Sequence, residues 1–406
     1  MENKIEILEN LCIDIIDCPH STPKWLNSGI PVIRNFNIKN GFLDLKESYF
    51  VDEETYLART KRAIPNYQDL IISREAPMGE VCLIPENFKC CLGQRLVLLK
   101  VNKTICNPYY LLYALQSDYV QKQIKKIDQT GSIVSNLNIS DLKQLKIPFF
   151  DMPIQEKIAN TLKLIDAKIE ILEQINDKIT NLLENIYNYW FIQYDFPNIN
   201  NKPYSANNEL IFNEKYNKKI PMDWDIISIK ELCDIVKGDE PGSENYNTKK
   251  VENSIPFIRV SDLENNNPVY VSETFNGKKC TKDNILISLD GSVGKVKYGF
   301  DGFYSSGIRK ITAKNNKCNN AFIYMYFRSE EIQKLILKYS TGSVLKHASA
   351  SIDNMYVAYN KDVFDRFTKM TDVYFQKLLN NQDEINKFKE LKNKFLPILI
   401  NGQLLS

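Results

Sequence analysis

IPVIRNFNI, residues 30–38, returns far down the chain as IPFIRVSDL, residues 255–263. The two stretches share an Ile-Pro-x-Ile-Arg strand entrance, with Arg34 and Arg259 at matched positions. Internal repetition has to be settled before any local motif is read, because it decides the architecture. Three further matches follow in the same order. LIISREAPMGEV (70–81) aligns with ILISLDGSVGKV (285–296), GQRLVLLK (93–100) with GIRKITAK (307–314), and DQTGSIVSNL (128–137) with YSTGSVLKHA (339–348). The offset drifts by only a few residues, which describes one long unit duplicated once and not a solenoid.

Composition agrees. A chain of 406 residues has room for two to four domains, and 43% hydrophobic residues is ordinary for globular protein. No run of eighteen apolar residues occurs and the N-terminus MENKIEILEN is charged, so a cytoplasmic protein with no membrane partner is expected. The nine cysteines include no C-x-x-C pair and only two histidines accompany them, so they read as reduced, buried residues and no metal site is expected.

The net charge of +2 is spread evenly: residues 1–150 carry 18 Lys+Arg against 17 Asp+Glu, and residues 220–360 carry the same numbers. Affinity for a polyanion must therefore come from local clusters. Candidates are Arg59, Lys61 and Arg62, the pairs Lys125-Lys126 and Lys249-Lys250, Lys278 and Lys279 with Lys282, and Arg309-Lys310. Clusters stand shortly before the repeated Ile-Ser strand in both halves.

Two segments have a different periodicity. Between residues 153 and 190, Ile158, Ile165, Leu172, Ile179 and Ile186 fall at seven-residue spacing, accompanied by Leu162, Ile169, Leu183 and Trp190. That heptad seam predicts a helix roughly 55 Å long. Near the C-terminus Phe367, Tyr374, Phe388 and Phe395 form one column and Leu378, Ile385 and Leu399 the next. An antiparallel pair would satisfy both stripes, and Asn176 and Asn381, which interrupt the columns, would fix its register. Two helices lying separately on their own domains is the alternative.

The remaining sequence reads as mixed α/β. Short β-branched runs punctuated by Gly, Pro and Asn predict twisted strands, and residues 107–126 and 319–339 predict helices apolar on one face. The Thr-Gly-Ser stretches follow those helices, as loops in which backbone can approach a phosphate closely.

Taken together, these motifs resemble the specificity (S) subunit of type I restriction-modification systems over essentially the whole chain. PIQEKIA (153–159) is similar to the P-x-x-E-Q-x-x-I segment that opens the family's central helix, although the distal copy at 362–367 lacks the Pro and Gln. The resemblance implies an α+β fold. Two duplicated mixed α/β target recognition domains (1–152 and 196–361) are separated by two long antiparallel coiled-coil helices (153–195 and 362–406). It further implies a non-catalytic subunit that reads a bipartite target on double-stranded DNA and docks two modification (methyltransferase) subunits. S-adenosylmethionine would be carried by those partners, ATP and Mg by a restriction subunit where one joins, and no cofactor by this chain.

On that reading, the expected DNA contacts in the first half are Arg34, Arg59, Lys61, Arg62, Arg74, Arg95, Gly131, Ser132 and Ser135. In the second half they are Arg259, Lys278, Lys279, Lys282, Lys295, Arg309, Gly342, Ser343, Lys346 and His347. Two other functions fit parts of the sequence. NPYY (107–110) is similar to the N-P-P-Y motif of adenine-N6 methyltransferases, but it lacks the second Pro and a cofactor-binding Gly-rich loop, and it sits where proline naturally opens a helix. A structural adaptor that binds protein and no DNA would share the architecture and lack salt-dependent DNA affinity.

Overall fold

The structure, a computed structural model, describes residues 4–75, 77–130, 136–197, 203–206, 210–214, 216–265, 267–314, 317–341 and 347–403. It resolves into two compact units: residues 1–169 with 387–406, and residues 170–386. The cut falls inside both long helices, Met152–Tyr187 and Lys361–Ile400, so each unit holds a segment of each.

Each unit is built on the same four-stranded antiparallel sheet. In the first its order is Cys12–Asp17, Leu96–Val101, Leu70–Ser73, Val81–Leu83; in the second, Cys233–Lys237, Ile308–Ala313, Ile285–Ser288, Val296–Lys297. A second sheet, three-stranded in the first unit and four-stranded in the second, contains the repeated Ile-Pro strand. Ile30–Ile33 pairs antiparallel with Tyr49–Val51 and parallel with Cys91–Leu92, and Ser254–Ile258 pairs likewise with Val269–Ser272 and Gly302–Tyr304. Arg34 and Arg259 thus follow the last residue of the strand and stand at its exit, not its entrance.

The repeated I-S…G pattern has a local cause. Ser73 is fully buried; its Oγ donates to Pro77 O (2.6 Å) and accepts from Glu80 N (2.9 Å), while Gly79 N donates to Ser73 O (2.9 Å). Ser288, Ser292, Lys295 and Gly294 repeat these bonds at 2.6, 3.0 and 2.8 Å. Gly79 and Gly294 have φ of +86° and +87°, a conformation that glycine adopts without strain. A glutamine that the sequence comparison overlooked closes the turn in each unit: Gln121 Nε2 donates to Gly79 O and Leu115 O, and Gln333 Nε2 to Gly294 O and Phe327 O.

One sequence match is out of register. The expected alignment equates Arg95 with Arg309, yet Arg74 N donates to Arg95 O (2.8 Å) where Leu289 N donates to Gly307 O (2.9 Å). Arg95 therefore occupies the place of Gly307, and Arg309 that of Val97, which is why their side chains go to different surroundings.

Both long-helix seams are used, in two ways. In the first unit Ile158 and Leu162 share a buried cluster with Leu399 and Ile400 and with the α/β core, and Lys392 Nζ pairs with Asp166 at 2.8 Å. In the second unit Trp190 and Phe191 meet Phe367 and Phe364 with ring centroids 5.7 and 4.9 Å apart. Asn381 Nδ2 donates to Asn176 Oδ1 at 2.8 Å, both residues being buried. Within each unit the segments run antiparallel, early residues of one beside late residues of the other. Ile165, Leu172, Phe367 and Leu183 of the two columns are buried; Ile179, Ile186, Tyr374, Phe388 and Phe395 are half-buried, and their neighbours Tyr187 and Phe375 fill the interior beside Ile186 and Tyr374. The seam shifts by a residue there because the helix segments also face their α/β domain.

Gln155 explains part of the PIQEKIA signature. Fully buried, it accepts from Asn107 N (2.8 Å) and donates to Ile105 O (3.0 Å) and Phe150 O (2.7 Å), tying the start of the long helix to the loop before helix Pro108–Gln116.

Removing one member of the asparagine pair leaves a buried amide without its partner. Asn381→Leu should cost about 1–3 kcal/mol in urea unfolding, and the Asn176→Leu/Asn381→Leu double variant should recover most of it. Equal losses in single and double variants would contradict the pair's role.

Candidate nucleic-acid interface

In the first unit the candidate cations converge on residues 17–21, just past the edge strand Cys12–Asp17. Arg74, nine-tenths buried, holds both Asp17 carboxylate oxygens with one Nη1 (2.8 Å each) and donates to Leu137 O (3.0 Å) and Asn136 Oδ1 (3.3 Å). His20 Nε2 lies 3.0 Å from the same carboxylate. Arg59 clamps backbone: it donates to Leu92 O twice (2.8 and 3.0 Å), to Ser21 O (2.8 Å) and to Pro19 O (3.2 Å). Lys61 and Arg62 are exposed on the rim of a cleft of about 240 Å³ lined also by Asp17, Cys18, Pro19 and Arg59. Of the cationic triplet, Arg59 is committed to the fold, and Lys61 and Arg62 face solvent with charge to offer a phosphate. Arg95 pairs with Glu75 at 2.8 Å on the surface.

The second unit builds a related cluster with the charges exchanged. Here the carboxylate, Asp290, follows strand Ile285–Ser288 one residue beyond Leu289, the counterpart of Arg74, and the arginine, Arg309, comes from the neighbouring strand. Arg309, buried, donates to Asp290 Oδ2 (3.3 Å), Ser306 O (2.6 Å) and Ser349 Oγ (2.5 Å). His347 Nδ1 lies 2.8 Å from Asp290 Oδ1. Ala348 N donates to Leu289 O and Leu137 N to Arg74 O, both at 2.8 Å, so the two clusters occupy matching places. Each chain histidine therefore stands against an arginine-paired aspartate, a juxtaposition that residue spacing does not reveal.

Four of the expected contact lysines of the second unit are drawn to carboxylates or a ring: Lys278 to Asp239 (3.2 Å), Lys282 to Asp383 on the distal long helix (2.8 Å), Lys295 to Glu264 (2.8 Å), and Lys279 over the Phe303 ring (4.7 Å). Asp383 carries no spacing signal as a partner, because the pair joins a loop to a helix far along the chain. Arg34 lies over the rings of Trp25, Phe36 and Tyr49, whereas Arg259 pairs with buried Asp262, whose hydrogen bonds hold the guanidinium's pKa above its usual value. Gly131, Ser132, Ser135, Gly342, Ser343 and Lys346 lie outside the described residues.

No described group of His, Cys, Asp and Glu could hold a metal ion, and no described helix is long and apolar enough to cross a membrane. Burial pushes the thiols of Cys91 up to about 11 and of Cys12 and Cys90 up to about 12, which keeps them protonated at neutral pH. NPYY is a helix start: Asn107 Oδ1 accepts from Tyr109 N and Tyr110 N, Pro108 takes the first turn, and Tyr110 Oη donates to Pro148 O in the core.

Residues 14–181 and 221–359 each match the type I restriction modification DNA specificity domain. The MjaIX type I restriction enzyme specificity subunit of Methanocaldococcus jannaschii is 25% identical over 84% of this chain and 79% of its own length. The HindI specificity subunit of Haemophilus influenzae is 18% identical over 77% of this chain and 81% of its own. Among solved structures, a type I restriction-modification S subunit from M. genitalium aligns with a TM-score of 0.50 at 18% identity, covering 98% of this chain and 96% of that one. The duplicated α+β fold is thus one already seen in S subunits. The chain belongs to the specificity-subunit family of type I restriction-modification systems, and it is a non-catalytic recognition subunit.

The different commitments of Arg59 and Lys61 can be measured. Arg59→Ala strips donors from three backbone carbonyls and should cost about 1–3 kcal/mol in chemical denaturation, whereas Lys61→Ala should change stability by less than about 0.5 kcal/mol. Equal effects would contradict the assignment.

Proposed function

We propose that this chain reads a bipartite sequence on double-stranded DNA, one half-site per unit, and carries modification subunits on its long helices. The observation that bears most weight is the duplication of hydrogen-bond register. Strand order, the Ser-Gly-Gln turn and the parallel Ile-Pro pairing occur twice, while the charged side chains around them differ. A scaffold repeated with its polar surface altered suits two readers of different base sequences, since base edges are read by a few side chains and the rest holds them. Exposed cations such as Lys61 and Arg62 would position the duplex through its phosphates, making affinity fall steeply with salt.

The helices add support for partner docking. Leu164 and Val373 are 72% and 65% exposed, and Leu182 and Leu391 are also exposed. Each of these pairs is related by the 209-residue offset that superimposes the two helices (373 − 164 = 391 − 182 = 209). Leu164 and Leu391 belong to the first unit and Leu182 and Val373 to the second, so each unit offers one exposed apolar residue from either helix. That is the surface expected for two equivalent protein partners. Those partners would bring S-adenosylmethionine, and a restriction subunit would bring ATP and Mg; this chain contributes recognition.

Sequencing of methylated bases in cells expressing the chain with its modification subunit should show adenine methylated in a split motif of two short half-sites with a fixed gap. Absence of any new methylated motif would contradict DNA reading. Leu164→Asp and Val373→Asp should each lower the number of modification subunits retained on copurification from two to one; full retention by both variants would remove the docking assignment.

A further inference from the structure

The two arginines of the repeated Ile-Pro-x-Ile-Arg motif have the same backbone setting and opposite side-chain fates. Arg34 N donates to Asn37 Oδ1 (3.0 Å) and Arg259 N to Asp262 Oδ2 (2.8 Å), so residues 37 and 262 are counterparts. In the second unit that counterpart is a carboxylate with a side chain only 2% exposed. It takes Arg259 Nε and Nη2 at 2.9 Å each, and Nη2 also reaches Asn267 O. In the first unit the counterpart is a neutral amide whose Nδ2 is committed to Asp44 O (2.8 Å) and Glu47 O (2.9 Å). It offers Arg34 no charge.

Released from that pairing, the Arg34 guanidinium lies 4.9 Å from the ring centroids of Phe36 and Tyr49 and 5.6 Å from that of Trp25. Among the described residues no carboxylate pairs with it and none accepts a hydrogen bond from its guanidinium. The setting is specific to this unit. Strand pairing puts Val269 where Tyr49 stands, and the motif offset puts Ser261 where Phe36 stands. The arginine stem also lies against Gly93, where a Cβ would stand 3.0 Å from Arg34 Cγ and 2.9 Å from Ile33 O; the second unit has Ser305 at that place, bonded to Ile258 O as Gly93 is to Ile33 O. Tyr49 is 38% exposed, so the cluster opens to solvent.

A guanidinium held by aromatic rings loses orientational freedom and keeps its in-plane N–H groups for a ligand. A planar fork with flat apolar flanks matches the two adjacent acceptors O6 and N7 of guanine in the major groove. We infer that Arg34 is a base-reading residue of the first unit that recognises a guanine, and that Arg259 holds its own loop and contacts no base. The inference rests on the DNA-reading function proposed above.

The test uses the complex with its modification subunits and duplexes carrying the methylated motif, with each guanine of each half-site replaced in turn by adenine. Wild type should lose roughly 5- to 150-fold in affinity at one guanine of one half-site. Arg34→Ala should bind the cognate duplex that much more weakly and be indifferent to that replacement. Arg34→Lys, which keeps the charge without the fork, should also lose the discrimination, and Arg259→Ala should keep wild-type preference at every position. Unchanged melting of the Arg34 variants would show that they fold. Full discrimination by Arg34→Ala, a motif without guanine in either half-site, or a uniform weakening that Arg34→Lys restores, as for a phosphate contact, would each overturn the inference. A wild-type complex with no preferred sequence would instead remove the underlying DNA-reading function.

Discussion

Each unit depends on one small lock: a buried serine at a strand end, a glycine six residues on, and a glutamine from a helix about forty residues further along. Ser73 and Ser288 each turn the chain by donating to one backbone carbonyl and accepting from one backbone N–H. Gly79 and Gly294 supply the left-handed backbone that closes the turn, and Gln121 and Gln333 fasten the helix to it. A Cβ on Gly294 would come within 2.4 Å of Gln333 Oε1, so a larger residue there would displace the glutamine as well as strain a backbone at φ of +87°. These bonds run almost wholly to backbone, which lets the rest of the surface vary while the scaffold stays the same.

That freedom has been used differently in the two units. An arginine–aspartate pair braces each unit near the same place, but its members come from different strands: Asp17 ends the edge strand and Arg74 follows Leu70–Ser73 in one unit, whereas Arg309 lies in Ile308–Ala313, the counterpart of Leu96–Val101, and Asp290 follows Ile285–Ser288 in the other. Breaking such a pair leaves an uncompensated buried charge, so each is a brace that resists single substitution. At residues 37 and 262 the exchange of an amide for a carboxylate decides whether the preceding arginine is locked or left among aromatic rings. Divergence of this kind, on a duplicated backbone, is what the proposed reading of two unlike half-sites would require.

Much of the scaffold was legible in the sequence because backbone demands leave residue signatures. The glycines at positive φ, the Ile-Pro strands and the polar interruptions at Asn176 and Asn381 correspond to what the fold does with them, while the heptad stripe keeps its place only in part, the interior shifting to Tyr187 and Phe375. The Gly-x-Arg match misled, since identical letters two residues out of register outweighed the strand pairing that equates Arg95 with Gly307. The site was less legible. Charge clusters show which residues could meet a phosphate, but only three-dimensional neighbours show that Arg59 is occupied by carbonyls, Lys282 by Asp383 and Arg74 by Asp17. Partners far apart in sequence, such as Trp25 and Tyr49 around Arg34, carry no spacing signal at all.

The most direct measurement is a domain exchange. Residues 221–359, the second matched specificity domain, would be replaced by the corresponding segment of a relative with a different target, and the methylated motif sequenced in cells carrying the modification subunit. Two independent readers predict a motif in which one half-site changes to the donor's and the other half-site is retained. A motif altered in both halves, or unchanged in both, would contradict them.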